Sequence, residues 1–106
     1  MKYPEHRPNG AVIPQEAALQ AAKQRLAQTP CSYQGLVRHL QAEGFSLSNA
    51  AYAADHCGAD WDRQAVRCVR LYLSERPFPL RRLIERMMDE GFTEAQARYG
   101  ASKNGY

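Results

Sequence analysis

Glu43-Gly44-Phe45-Ser46 returns later in this chain as Glu90-Gly91-Phe92-Thr93. Subtracting 44 from 91 gives an offset of 47, and without a gap it also pairs Ala18 with Ala65, Leu26 with Leu73, Pro30 with Pro77 and Leu36 with Leu83. Past the turn it pairs Ala50 with Ala97, Tyr52 with Tyr99, Ala54 with Ala101 and Gly58 with Gly105. Self-similarity at such a period is the signature of stacked supersecondary units. In each copy the glycine can take the left-handed conformation that closes a helix, and the phenylalanine can fold back over the preceding turn. The serine or threonine can then cap the next helix. Gly44, Phe45, Gly91 and Phe92 are therefore expected to build two equivalent structural turns.

Working outward, Pro14 opens a run of strong helix formers in which Ala18, Ala22 and Leu26 share one face. Thr29-Pro30-Cys31-Ser32 interrupts it, and Ser32 is placed to cap a second helix through Leu36, Val37 and Leu40. Ser46 caps a third, with Ala50, Ala53, Ala54 and Cys57 on one face. The second copy repeats the plan, and Thr93 with Gln96 fits a capping box. No segment alternates with period two, so the expected fold is all-α. It is a tandem of two three-helix units with helix-turn-helix-like elements, at residues 14–58 and 59–106, behind a flexible leader at residues 1–13 that holds Pro4, Pro8, Asn9 and Gly10. Each unit is close to the roughly 40-residue size below which a single core usually fails, so the two should lean on each other or on a partner. Trp61, the only tryptophan, is expected to pack at their junction.

The chemistry of the chain is spare. Cys31, Cys57 and Cys68 are an odd set without repeated spacing, which reads as small buried hydrophobes. A Cys31–Cys57 bridge fits only if helix ends meet, and the fold cannot depend on it, since Phe78 and Asn104 are the matched residues. His6, His39 and His56 lack metal-ligand spacing, so no metal or other cofactor is expected. No paired carboxylates, Gly-rich phosphate loop or nucleophile with a positioned base can be named, so no enzyme is expected either. There is no transmembrane run, and the first residues lack the apolar core of a signal peptide. If the chain is full length, it is expected in the cytoplasm.

The charge pattern leaves more open. A net charge of +3, from 14 Lys+Arg against 11 Asp+Glu, neither requires nor excludes an anionic partner. The third helix of copy one, Leu47 to His56, has no Arg or Lys, and that of copy two offers only Arg98 and Lys103 nearby, which argues against base-specific DNA readout. Basic residues gather instead at Arg63, Arg67 and Arg70, then at Arg76, Arg81, Arg82 and Arg86, interleaved with acids from Asp60 to Glu90. Two readings stand: a solvated face with local ion pairs, or an anion-facing patch carried mainly by Arg81, Arg82 and Arg86. Tyr52 and Tyr99 sit off the apolar faces of their helices. Each either lies across the first helix of its unit with its hydroxyl in water or belongs to a repeated protein-contact surface.

Taken together, Ala18-Leu19-x-x-Ala22, Gly35-Leu36, Glu43-Gly44-Phe45-Ser46, Ala50-x-Tyr52-Ala53, Asp60-Trp61, and the second round through Glu90-Gly91-Phe92-Thr93 and Ala97-x-Tyr99 resemble the Ltp family. These are host-cell-surface-exposed lipoproteins of Gram-positive bacteria and their phages. The resemblance covers roughly residues 12–106. It departs at Arg25, where Tyr72 matches the usual aromatic, and at Cys31, where Phe78 matches the usual phenylalanine. A lipid-modified cysteine after a signal peptide is absent, so a membrane association would require an anchor this sequence does not carry. The resemblance implies display at the cell surface, a protein partner such as a phage component, and a role in superinfection exclusion by stopping phage DNA delivery. The alternative drawn from the residues is an intracellular helix-turn-helix protein that binds nucleic acid non-specifically.

Overall fold

Residues 14–106 are described by the computed structural model, and the expected leader at residues 1–13 lies outside them. The described residues form six helices and no strand: α1 (Pro14–Gln28), α2 (Tyr33–Ala42), α3 (Leu47–His56), α4 (Trp61–Glu75), α5 (Leu80–Asp89) and α6 (Glu94–Ser102). The protein is all-α, and its helix ends follow from local chemistry. The Ser32 hydroxyl accepts from the Gly35 amide, Ser46 from Asn49, and the Asp60 carboxylate from Asp62 and Arg63. Thr93 and Gln96 complete the capping box. By contrast, α5 starts at Pro79 with no side-chain cap and holds Arg81 and Arg82 in its first turn, where the helix dipole disfavours cations.

Gly44 and Gly91 adopt the left-handed conformation, with φ of +107° and +106°. After α2, the Gly44 amide donates to the Gln41 carbonyl at 3.0 Å and the Phe45 amide to Leu40 at 3.1 Å. After α5, Gly91 donates to Met88 at 3.0 Å and Phe92 to Met87 at 3.2 Å. Each turn thus satisfies carbonyls that the helix end would leave open, and it drives its phenylalanine into the core.

The helices pack in two sets of three. α3 lies on α1 and α2, and α6 lies on α4 and α5. Each set has its own apolar cluster, one around Ala18, Ala22, Leu36, Leu40 and Ala50, the other around Ala65, Val69, Leu83, Met87 and Ala97. Each fully buried Leu or Met contributes about 1.5–3 kcal/mol, and the alanines let the helix backbones approach closely. The sets lie end to end. The described residues extend over 54 × 23 × 18 Å with a radius of gyration of 15.7 Å, against about 12–13 Å for a compact domain of this size.

Three connections hold the sets together. Trp61, the first residue of α4, packs on the first cluster with its ring edge-on to Tyr33, centroids 5.6 Å apart. Ser32, only 2% exposed, donates its hydroxyl to the Glu90 carbonyl at 2.7 Å while it caps α2. The Gln64 side-chain oxygen accepts from the Cys31 amide and from Arg67 Nη1, each at 3.2 Å, and Arg67 Nη1 also donates to the Leu26 carbonyl at 3.2 Å. All three cysteines are free thiols. Cys68 is buried as expected, whereas Cys31, between α1 and α2, and Cys57, at the C-terminal cap of α3, are only half-buried. Burial pushes the Cys68 thiol up to about 11 and also raises Cys31, the latter partly offset by the Arg25 guanidinium. These thiols stay protonated at neutral pH and act as packing groups.

Candidate functional site

The site with the clearest chemistry lies between α4 and α6, and a glycine creates it. Gly100 is pressed against α4 so closely that a Cβ there would lie 2.8 Å from the Ala65 carbonyl oxygen. Beyond the helix end, Asn104 Nδ2 donates to the carbonyls of Val66 at 3.1 Å and Gly100 at 2.9 Å, pinning the end of α6 to α4. These contacts hold Tyr99 and Lys103 alongside the outer face of α4, leaving a groove of about 610 Å³.

Arg63, Arg67 and Arg70 line the α4 side of this groove, Tyr99 and Lys103 the α6 side, and Val66 completes the lining between the cations. Tyr99 is 42% exposed, and the Lys103 ammonium stands 5.4 Å from its ring centroid. The one acid lining the groove is Asp60, whose Oδ1 is already engaged by the amides of Asp62 and Arg63, each at 3.1 Å. Among the described residues, Arg63, Arg70 and Lys103 form no ion pair, and Arg67 donates only to neutral oxygens. Four cations thus face one committed carboxylate. Arg63, Arg67 and Arg70 also repel one another along the helix, a penalty of roughly 0.2–0.5 kcal/mol per like-charged pair. Arg67 offsets its share through its bonds to Leu26 and Gln64, whereas Arg63 and Arg70 have no ion pair among the described residues to offset theirs.

The first set of helices serves as an internal comparison. Subtracting 47 matches Arg63 to Glu16, Arg67 to Gln20, Arg70 to Lys23, Tyr99 to Tyr52 and Lys103 to His56. There the matched positions give a near-neutral face, and the Tyr52 ring is stacked on His56, with centroids 4.1 Å apart and planes inclined by 24°. Tyr52 and Tyr99 occupy matched positions on α3 and α6, but only Tyr99 stands among uncompensated cations.

Arg81, Arg82 and Arg86 are placed elsewhere. Arg82 and Arg86, with Arg76, line a second groove of about 540 Å³ beside Phe78, and Glu85 and Asp89 line it with them. Arg86 also pairs with Glu90 at 3.7 Å and lies over the Tyr72 ring at 5.2 Å. Arg81 is exposed and lines neither groove. This second surface is nearly balanced, and the structure does not bring it together with Tyr52 or Tyr99. Gly44, Phe45, Gly91 and Phe92 sit in the two turns, with Gly91 at the junction of the sets and Gly44 open to solvent. The sequence reading did not join Lys103 and Tyr99 to the arginines of α4. The signal was present in the paired changes Glu16 to Arg63 and His56 to Lys103 across the offset.

Chemically, a row of guanidinium forks beside an exposed ring suits an anion that is extended rather than point-like. Among the described residues no cluster of three or more His, Cys, Asp or Glu side chains could hold a metal ion. No helix there is long and apolar enough to cross a membrane. Comparison with protein-family models, with curated proteins and with solved structures returned no match.

Proposed function

We propose that this protein is a non-enzymatic binding module that captures an anionic partner in the groove between α4 and α6. The observation that carries this reading is the set of four cations, Arg63, Arg67, Arg70 and Lys103, left without ion pairs around Tyr99. The arrangement of two related three-helix units supports a module that displays a surface. The residues resembling the Ltp family support a position at the cell envelope. In that setting the groove would meet a component of an incoming phage, and the module would act in superinfection exclusion by blocking DNA entry. The same cations favour a second reading, an intracellular protein that holds nucleic acid through its phosphates.

The test is salt-dependent retention of the purified chain on an immobilised polyanion. Retention at low salt should fall sharply in the double variant Arg63→Gln/Arg70→Gln and change little in Arg81→Gln/Arg82→Gln. Equal effects of the two pairs would show that net charge alone governs binding and would remove the groove from the account. The envelope setting has its own check: cells displaying the chain should adsorb phage yet resist DNA entry, and normal infection would exclude that role.

A further inference from the structure

Resting on the anion-groove reading, we infer that the α4–α6 groove binds single-stranded nucleic acid. Arg63, Arg67, Arg70 and Lys103 follow the phosphodiester backbone, and the Tyr99 ring takes a base. The first support is linear order. Arg63 and Arg70 are seven residues apart on one helix, a separation of about 10 Å along the axis. Cations spread over that length match more than one consecutive charge of a chain polymer, where a single small anion would need them convergent.

The second support is the charge at the start of α6. Duplex reading by an inserted α6 is disfavoured, because its first turn presents Glu94, and Arg98 is tied to that carboxylate at 2.9 Å. The third support is Tyr99 itself. Every nucleobase offers a face to stack on an exposed ring, so Tyr99 gives a nucleic acid a contact beyond the charge attraction that any polyanion would share. In the near-neutral first unit His56 stacks on a half-buried tyrosine, whereas in the second unit Tyr99 is exposed with the Lys103 ammonium over its ring at 5.4 Å from the centroid, so an exposed ring and a row of cations occur together there.

The experiment uses the full chain and a fluorescein-labelled oligothymidylate of about 15 nucleotides, within the usual site sizes for single-strand binders. Anisotropy titrations compare it with an abasic phosphodiester of equal length, a duplex, polyglutamate, and phosphatidylglycerol vesicles. The single strand should bind tightest. Its log–log salt slope should lie near −2 to −3, from four cations at about 0.7 each, and Arg63→Gln/Arg70→Gln should reduce that slope by about 1.4. Tyr99→Ala should weaken oligothymidylate binding by about tenfold and leave the abasic polymer unaffected, with Tyr99→Phe restoring affinity. Thermal melting verifies that each variant is folded. Equal affinity for the abasic polymer, indifference to Tyr99→Ala, or tighter binding of duplex, polyglutamate or vesicles overturns the single-strand inference. In those cases the groove reading survives only if the arginine variants still weaken binding. If none of these polyanions binds at low salt, both are overturned.

Discussion

Gly44 and Gly91 have the same backbone conformation, φ +107° and +106°, but different surroundings, and alanine at each separates two energies that usually come mixed. At Gly44 a new Cβ would meet nothing within 4 Å, so Gly44→Ala carries only the left-handed penalty, about 1–2 kcal/mol. At Gly91 the same Cβ would lie 2.5 Å from Ser32 Oγ, 3.1 Å from Gln34 Cβ and 3.2 Å from Arg38 Nη2. Ser32 cannot swing aside freely, since its hydroxyl is buried between the Gly35 amide and the Glu90 carbonyl at 2.8 and 2.7 Å. Displacing it breaks at least one of these bonds, a further cost of about 0.5–1.5 kcal/mol. Gly91→Ala is therefore expected to destabilise by roughly 2–3 kcal/mol and to melt at least about 2 °C below Gly44→Ala. Urea denaturation followed by far-ultraviolet circular dichroism gives both values. In a Ser32→Ala background the excess should vanish, giving a coupling of about 1 kcal/mol between positions 32 and 91. Equal costs for the two glycines with no coupling would refute the docking of α2 onto the α5 turn.

Two other outcomes are expected. Gly100→Ala should destabilise by about 1–3 kcal/mol, although alanine normally favours a helix, because the Cβ meets the backbone of Ala65, which cannot yield as a side-chain tip does; a rise in melting temperature would refute the close α4–α6 contact. Stability should also fall as pH rises from about 9 to about 11, because the unfolded chain gives up the Cys68 proton near its ordinary value of 9.0 while the folded one holds it to about 11. Tyr72, raised by the same burial, adds to the fall above about 10. Cys68→Ala should flatten the slope in that window, and an unchanged slope would show that the thiol is not buried as described.

The proposed anion groove would account for the row of arginines on α4. The start of α4 is one the dipole favours, with Asp60 at its cap and Asp62 in its first turn. From Arg63 onward, however, it repeats like charge along one face at Arg63, Arg67 and Arg70. Such departures from local preference are expected at functional surfaces, where a partner supplies what the free protein lacks. Binding an anion would relieve the repulsion among these side chains.

The sequence by itself determined the elements and their ends. Glycine after each second helix, hydroxyl caps at Ser32, Ser46 and Thr93, and alanine stripes at helical spacing act within one or two turns of chain, so their consequences could be read locally. Even the location of Trp61 at the junction followed from its place between two apolar patterns. The ionic state of the arginines was not local in this sense. Asp60 and Asp62 stand beside Arg63 in the sequence and suggested ion pairing, but Asp60 turns back to cap its own helix, and Asp62 forms no ion pair among the described residues. Only tertiary structure decided which cations remain uncompensated, because α6 must close on α4 through Gly100 before Tyr99 and Lys103, 29 to 40 residues away, come beside Arg63, Arg67 and Arg70. Charge compensation depends on which side chains face one another in space, and that is set by helix packing rather than by order along the chain.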